Sequence, residues 1–172
     1  EKYMKEGWWL VTDSDSELVT KLLGKYMTQY NDPVKSIRAT MGELDGAYAL
    51  TILIDGRLFA IRDPYGFRPL CLGKLDGGYI AVSESAAIDA LHGDFVRDIE
   101  PGEICEITKD TFKIYPAVAQ HPKAYCMFEW VYFARPDSVM DGREVYDVRR
   151  RIGMILAREC PADVDLVMPV PD

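Results

Sequence analysis

Several signatures of common functional classes are missing from this chain. No apolar stretch approaches the roughly 18–20 residues that cross a lipid bilayer. The longest apolar-rich runs, residues 47–54 and 164–170, have the length of a strand. Neither GxGxxG nor GxxxxGK followed by Ser or Thr occurs, which excludes the usual dinucleotide and mononucleotide loops. His92 and His121 are the two histidines, and they lack HExxH spacing.

Cysteine is also scarce and widely spaced. The four cysteines occupy positions 71, 105, 126 and 160, and no two of them form a CxxC pair. The spacing therefore excludes a zinc ribbon or a redox dithiol. A disulfide framework is not expected either, because 48% of the residues are apolar and no signal-peptide segment is visible.

The charge balance is acidic. The chain has 20 Lys and Arg against 28 Asp and Glu, which gives a net charge of −8. Such a balance argues against a basic face for nucleic acid or for anionic lipid. We therefore predict a soluble, cytoplasmic protein that binds neither nucleic acid nor membrane.

The first third of the chain has helical periodicity. Ser14 followed by Glu17 fits a capping box that opens a helix. Asp32-Pro33 fits an N-cap followed by proline at the first helical position, and the second helix is expected to stop near Gly42.

The period then changes to that of strands. Residues 47–54 and 57–61 flank Asp55-Gly56, a strong signal for a type I′ hairpin. A short helix is predicted at residues 85–91. Further strands are predicted at residues 69–73, 79–83, 104–108 and 111–115. The pattern is a mostly antiparallel α+β fold.

A domain boundary is predicted near residue 122, so that residues 1–122 form one unit and residues 123–172 begin another. Residues 143–159 have the apolar spacing of a helix, and residues 164–170 read as a buried strand. A helix that leads into a buried strand is typical of the start of a parallel α/β sheet.

Six short stretches carry a resemblance to a known family. They are residues 13–17 (DSDSE), 46–48 (GAY), 62–70 (RDPYGFRPL), 83–85 (SES), 100–103 (EPGE) and 128–138 (FEWVYFARPDS). Together they resemble the amidophosphoribosyltransferases. The RDPYGFRPL and SES elements occur in looser form in other class II glutamine amidotransferases, whereas FEWVYFARPDS is more particular to this family.

The resemblance implies a fold and a reaction. It implies an N-terminal-nucleophile glutaminase domain that runs into an α/β phosphoribosyltransferase domain. Glutamine-derived ammonia would convert phosphoribosyl pyrophosphate to phosphoribosylamine, the first step of purine synthesis, with Mg²⁺ on the pyrophosphate. It further implies that the protein forms a homo-oligomer.

The resemblance also implies that neither reaction centre lies within these residues. In the family an N-terminal Cys is the nucleophile and its α-amino group is the base. Here residue 1 is Glu and the first cysteine is Cys71. We therefore expect an internal portion of the enzyme, without a catalytic residue and inactive by itself.

Asp15 is the main candidate binding residue. In the family, the Asp immediately before Ser-Glu binds the α-ammonium group of glutamine, and Asp15 matches that position. The structural alternative is an acidic residue in the first helical turn, where the macrodipole favours negative charge. Asp13 stands two residues too early and is expected to be an exposed charge.

Two further residues receive roles from the resemblance. Cys126 matches the first of four cysteines that hold a 4Fe–4S cluster in some family members, although other members have this Cys without a cluster. Tyr146 lies in the region between the two active sites and is assigned to interdomain coupling. Its structural alternative is a half-buried aromatic residue on an amphipathic helix.

Two charged groups are predicted to be structural. Arg62, Asp63 and Arg68 are expected to lock a tight corner through buried charge pairing. Residues 83–85 fit a strand-to-helix junction with a serine N-cap.

Two alternatives to the family function remain open. One is another class II amidotransferase, acting in asparagine or aminosugar synthesis. The other is a non-catalytic scaffold with the same fold.

Overall fold

The computed structural model describes residues 3, 7, 9–117, 119 and 121–168. Its helices include α1 (Asp15–Tyr30), α2 (Pro33–Met41), α3 (Ser85–Ala90) and α4 (Val145–Glu159), with a π-helix at Glu129–Phe133. Within this described part, each helix is too short or too polar to cross a lipid bilayer.

The strands form two antiparallel sheets and a short hairpin. They are β1 (Ala49–Ile54), β2 (Arg57–Arg62), β3 (Cys71–Leu75), β4 (Gly78–Val82), β5 (Asp94–Asp98), β6 (Ile104–Ile107), β7 (Phe112–Tyr115), β8 (Val139–Met140) and β9 (Arg143–Glu144). One sheet has the order β1-β2-β6-β7, the second has the order β4-β3-β5, and β8 pairs with β9. The predicted antiparallel α+β fold is therefore confirmed.

The two sheets are the middle layers of a four-layer arrangement. Ala60 on β2 and Leu72 on β3 belong to an apolar cluster between the sheets. The neighbouring residues of β2, Phe59 and Ile61, point to the opposite face and pack with Ile37 of α2 and other residues of α1 and α2. Because successive side chains of a strand alternate between faces, β2 is buried on both sides.

Helix α3 covers the outer face of the second sheet at close range. A Cβ atom on Gly73 of β3 would lie 2.8 Å from the side chain of Ile88 on α3. Ile88 is fully buried at this contact. Glycine at position 73 therefore lets α3 approach the sheet, and a larger residue would push the helix away.

Local turn and cap signals located the starts of α1, α2 and α3 and the turn between β1 and β2. Asp55 and Gly56 both have positive φ, 49° and 76°, as a type I′ turn requires. Asp32 accepts a hydrogen bond from the Lys35 N–H at 2.9 Å, and Pro33 begins α2. The predicted strands of the two sheets begin and end within two residues of their predicted bounds.

The end of the described chain differs from the prediction. Residues 161–168 contain no regular strand, and Leu166 and Val167 are 71% and 81% exposed. Residues 169 and 170, which complete the predicted strand, lie outside the described residues. A buried strand needs a neighbouring strand to satisfy its backbone groups, and no described strand pairs with this segment.

Three structured segments are not predicted by the sequence: β5, the π-helix and the β8–β9 hairpin. The charged segment Asp94–Asp98 is a strand because it pairs with β3. The π-helix at Glu129–Phe133 replaces the aromatic stretch for which no element was predicted. Helix α4 begins at Val145 instead of residue 143, because Arg143 and Glu144 pair with β8.

Candidate functional site

A tight corner after β2 is built around the carboxylate of Asp63, which is fully buried. Its two oxygens accept hydrogen bonds from the backbone N–H groups of Tyr65 (3.0 Å), Phe67 (3.2 Å) and Arg68 (3.3 Å). Gly66 has a positive φ of 70°, and a Cβ there would lie 2.6 Å from Pro101. The Asp63 carboxylate therefore holds the backbone of the corner, and glycine at position 66 allows the close contact with Pro101.

Arg62 fastens the same corner to other segments. Its guanidinium group donates to the carbonyl oxygens of Arg68, Ile99 and Gly66 at 2.9–3.0 Å. Its nearest carboxylate is that of Asp141, at 3.4 Å. The predicted structural role of the corner is confirmed.

The predicted pairing of charges within the corner is wrong. Asp63 binds backbone N–H groups, Arg62 pairs with Asp141, and Arg68 pairs with Glu129 at 2.5 Å. The corner is thus linked by charge to residues 129–141, far along the chain.

Asp141 is the centre of this link. It lies in the turn between β8 and β9 with a positive φ of 47°, and it accepts from both Arg62 and Lys123. Lys123 in turn pairs with Glu100 at 2.8 Å. Burial, and next the charge of Asp141, raise the pKa of the neighbouring Asp98. Asp141-Gly142 is the same turn signal as Asp55-Gly56, so the sequence contains a local signal for this hairpin.

The SES segment binds a second part of the same distant region. One carboxylate oxygen of Glu84 accepts from the Arg135 N–H and from the Ser138 hydroxyl, both at 2.8 Å. The Ser85 hydroxyl oxygen accepts from the Val139 N–H at 2.8 Å. The predicted serine N-cap of α3 is wrong: the N-cap residue is Glu84, without a side-chain cap, and the two side chains bind residues 135–139 instead. We call this set of five residues the α3 dock.

Tyr146 is close to the α3 dock in the chain. Its backbone N–H donates to the Pro136 carbonyl, and the Val145 N–H donates to the Ser138 carbonyl, both at 2.9 Å. The Tyr146 side chain is 59% exposed. The structural alternative of a half-buried aromatic residue is therefore wrong, and its coupling role stays a prediction.

Two of the cavities that border this region bear on the site. One, of about 380 Å³, is lined by residues of the corner and the dock, among them Tyr48, Arg68, Glu84 and Glu129. The buried Tyr48 hydroxyl has no hydrogen-bond partner among the described residues, and burial, then Asp63, raise its pKa to about 12. The other, of about 410 Å³, is more apolar and lies between the π-helix and α4.

Asp15 is the first residue of α1, next to the N-cap Ser14. Its side chain is exposed, and among the described residues it makes no hydrogen bond or ion pair. Its carboxylate is thus available to a ligand at the positive end of the helix. This position agrees both with a role in binding glutamine and with the structural alternative of a favourable charge in the first helical turn. Asp13 is exposed, as expected.

Glu17 holds the segment that leads into α1. Its carboxylate accepts from the N–H groups of Val11 (2.9 Å) and Thr12 (2.7 Å) and from the Thr12 hydroxyl (2.8 Å), and it pairs with Lys21 (2.9 Å). In the predicted capping box it would accept from the Ser14 N–H, which instead donates to the Thr12 hydroxyl oxygen. Glu17 therefore braces the two residues before Asp13.

This brace is expected to fail in acid. The Val11 hydrogen bond, and then Lys21 and Thr12, lower the pKa of Glu17 from 4.5 to about 2. Because the folded-state pKa is lowered, the stabilisation is fully present above pH 4.5 and is lost as the pH falls towards 2. The amide chemical shifts of Val11 and Thr12 should report this titration, and Glu17→Gln should abolish it. A pH dependence that survives in Glu17→Gln would assign the titration to another group.

The cysteines are not gathered into one site. Cys71 and Cys105 are buried in strands, and burial raises the pKa of their thiols to about 12 and about 11. Cys126 is half-buried in the loop before the π-helix, and Cys160 is exposed after α4. Among the described residues, no three His, Cys, Asp or Glu side chains are placed to hold a metal ion. Cys126 alone does not fit a 4Fe–4S cluster, which needs four thiolate ligands.

Comparison with known proteins agrees with this architecture. The glutamine amidotransferase domain family matches residues 1–90. The chain is 42% identical to an amidophosphoribosyltransferase of Archaeoglobus fulgidus over 97% of its own length and 36% of the relative's. It is 44% identical to that of Methanocaldococcus jannaschii, over 94% of the chain and 37% of the relative.

Solved structures show the same likeness. The glutamine phosphoribosylpyrophosphate amidotransferase of B. subtilis, complexed with ADP and GMP, superimposes with a TM-score of 0.87 at 30% identity. The match covers 94% of this chain and 35% of that one. The chain thus spans about a third of the length of the proteins it matches. The predicted glutaminase fold is confirmed.

Proposed function

Because the chain belongs to the glutamine amidotransferase domain family, we propose that it supplies part of the glutaminase portion of an amidophosphoribosyltransferase. The whole protein would hydrolyse glutamine and use the ammonia to displace pyrophosphate from phosphoribosyl pyrophosphate, which yields phosphoribosylamine. Its substrates would be glutamine and phosphoribosyl pyrophosphate, and it would act in the cytoplasm as a homo-oligomer.

The α3 dock is the observation that carries this proposal. It joins SES, which occurs in several classes of amidotransferase, to ARPDS, the end of the stretch that resembles this family in particular. Ser138 is fully buried and Ser85 is 4% exposed in this contact. The ARPDS segment is therefore packed against the glutaminase fold. Its resemblance to this particular family supports the amidophosphoribosyltransferase function over that of other amidotransferases.

Each predicted residue has a place in the proposal. Asp15 would bind the α-ammonium group of glutamine, since an exposed carboxylate can form a charge-assisted hydrogen bond with it. Tyr146 would couple the two active sites from the first turn of α4. Residues 1–122 would be the glutaminase part and residues 123–172 the beginning of the phosphoribosyltransferase part.

The resemblance implies two cofactors for the whole protein, and the described residues complete a site for neither. Mg²⁺ would shield the pyrophosphate charge and is bound mainly by phosphate oxygens in such sites. A 4Fe–4S cluster would need three thiolates in addition to Cys126, and the described residues do not bring them together. Iron and acid-labile sulfide analysis of the whole protein would decide whether a cluster is present.

The proposed reaction is tested by an acceptor-specific assay on the full-length protein. Glutamate release and amine formation should both require phosphoribosyl pyrophosphate, and ammonium should replace glutamine as the nitrogen source. Synthesis that instead requires aspartate with ATP, or a sugar phosphate, would assign the protein to another class of amidotransferase. No turnover with any acceptor would support a scaffold.

The 172-residue chain alone is expected to release no glutamate from glutamine. In the family that the chain resembles, the nucleophile is a Cys thiolate with a base beside it, and the raised pKa values of Cys71 and Cys105 keep these buried thiols protonated at neutral pH. The measurement is a coupled glutamate assay on the purified chain. Turnover that disappears in Cys71→Ala or Cys105→Ala would place the nucleophile inside this sequence.

A further inference from the structure

The start of α4 depends on the loop that the α3 dock holds. Glu144, the N-cap residue of α4, makes no side-chain cap hydrogen bond. The first N–H groups of α4 instead donate to the carbonyl oxygens of Ser138 and Pro136. The loop therefore satisfies N–H groups in the first turn of α4, where no side-chain cap is present.

The rest of α4 has little other support within the described residues. Its packing partners are chiefly the π-helix and β9. Arg149 donates to the carbonyl oxygens of Trp130 and Ala134 at 2.8 and 2.7 Å, and Val145 is the buried side chain of the helix. These contacts hold α4 to residues 130–145. They do not by themselves fix it to the two sheets.

Several links join this region to the sheets and to the corner after β2, among them Lys123 with Glu100 and the Ala124 N–H with the Tyr65 carbonyl oxygen. Arg62 with Asp141 is a single contact at 3.4 Å, and Arg68 with Glu129 involves an arginine side chain that is 44% exposed. The α3 dock has three hydrogen bonds of 2.8 Å around two buried serines. The α3 dock is the link closest to the start of α4, because it binds the loop whose carbonyl oxygens accept from the first N–H groups of that helix. Two of its three hydrogen bonds have a charged acceptor, which makes them stronger than bonds between neutral groups.

We infer that Glu84 is a positioning residue that fixes α4 to the glutaminase fold and so keeps ammonia transfer coupled between the two parts of the enzyme. This inference rests on the proposed function. Ammonia that escapes between the glutaminase part and the phosphoribosyltransferase part is diluted into water. Productive transfer therefore requires these two parts to keep a fixed relative geometry. Loosening the dock would let glutamine hydrolysis continue without amine synthesis.

The test compares Glu84→Ala, Glu84→Gln and Ser138→Ala in the full-length protein. The readout is the fraction of glutamate released without amine formed. It should rise about three- to tenfold in Glu84→Ala, and by less in Ser138→Ala, where the Arg135 N–H bond remains. Glu84→Gln should largely restore coupling, because its amide oxygen can still accept both hydrogen bonds. Asp137→Ala is the matched control, since this exposed residue of the same loop pairs with Arg135 alone.

Hydrogen exchange of α4 supplies a readout that does not depend on activity. The amides of Val145 and Tyr146 should exchange faster in Glu84→Ala than in Asp137→Ala. Unchanged exchange and an unchanged uncoupled fraction in a folded Glu84→Ala protein would overturn the inference. If Glu84→Ala does not fold, an unchanged uncoupled fraction in Ser138→Ala would overturn it. A wild-type protein without turnover would instead reject the proposed function, and faster α4 exchange would still support the positioning role of Glu84.

Discussion

Replacing Asp15 by alanine in the full-length protein is expected to raise the KM for glutamine about 10- to 100-fold. The range corresponds to a hydrogen bond between charged groups worth about 1.5–3 kcal/mol. Activity with free ammonia should stay nearly unchanged, because Asp15 would contact only the amino-acid end of glutamine. Steady-state kinetics with glutamine and with ammonium as alternative nitrogen donors measures both quantities.

Two further variants make this test specific. Asp15→Asn keeps an acceptor oxygen without the charge and should give an intermediate KM. Asp13→Ala removes an equally exposed carboxylate two residues earlier and should leave the KM as it is. Loss of the helix-dipole interaction alone costs about 0.3–1 kcal/mol of stability, which is too little to abolish ammonia-dependent activity. If both activities fell together in Asp15→Ala, the residue would be structural and its assignment to glutamine wrong.

Replacing Asp63 by alanine is expected to lower the free energy of unfolding by about 3–5 kcal/mol. The substitution leaves the N–H groups of Tyr65, Phe67 and Arg68 without their acceptor at a fully buried position. It also removes the negative charge closest in sequence to the buried Arg62. Urea denaturation followed by circular dichroism measures the change.

Asp63→Asn separates the acceptor from the charge. The single amide oxygen can accept the hydrogen bonds of only one of the two carboxylate oxygens. The amide NH₂ would face a backbone N–H group in place of the other oxygen, so an intermediate loss of stability is expected. Asp45→Ala, at an exposed position shortly before β1, is the matched control and should change stability by no more than about 0.5 kcal/mol. Equal stability of Asp63→Ala and Asp45→Ala would show that the carboxylate does not hold the corner.

Signals that act over a few residues predicted their elements well. Asp32-Pro33 begins α2, and Asp55-Gly56 turns β1 into β2 in register. The Asp32 side chain binds a backbone N–H only three residues later. The two residues with positive φ in the β1–β2 turn are adjacent in the chain. Motif comparison, likewise local, led to the glutaminase fold and to Asp15 as the residue to test.

Where a side chain is satisfied by a residue far along the chain, the sequence predicted the wrong partner. The sequence predicts that SES caps a helix, yet Glu84 binds Arg135 and Ser138, which are 51 and 54 positions away. The charges of the corner were expected to pair with one another, yet the carboxylate nearest Arg62 is 79 positions away. Residues 164–168 have the composition of a strand but no described strand beside them, so they stay exposed and irregular.

The sequence by itself determined the starts of α1, α2 and α3, the turns of the β1–β2, β3–β4 and β6–β7 hairpins, and the family. These depend on backbone preferences and on contacts within one or two turns of chain. Only the tertiary structure decided which groups the buried charges bind, how α4 is attached to the glutaminase fold, and that Asp94–Asp98 is a strand. A buried carboxylate or an unpaired strand can be satisfied by many partners, and the folded arrangement of the layers selects the one that is near enough to bond.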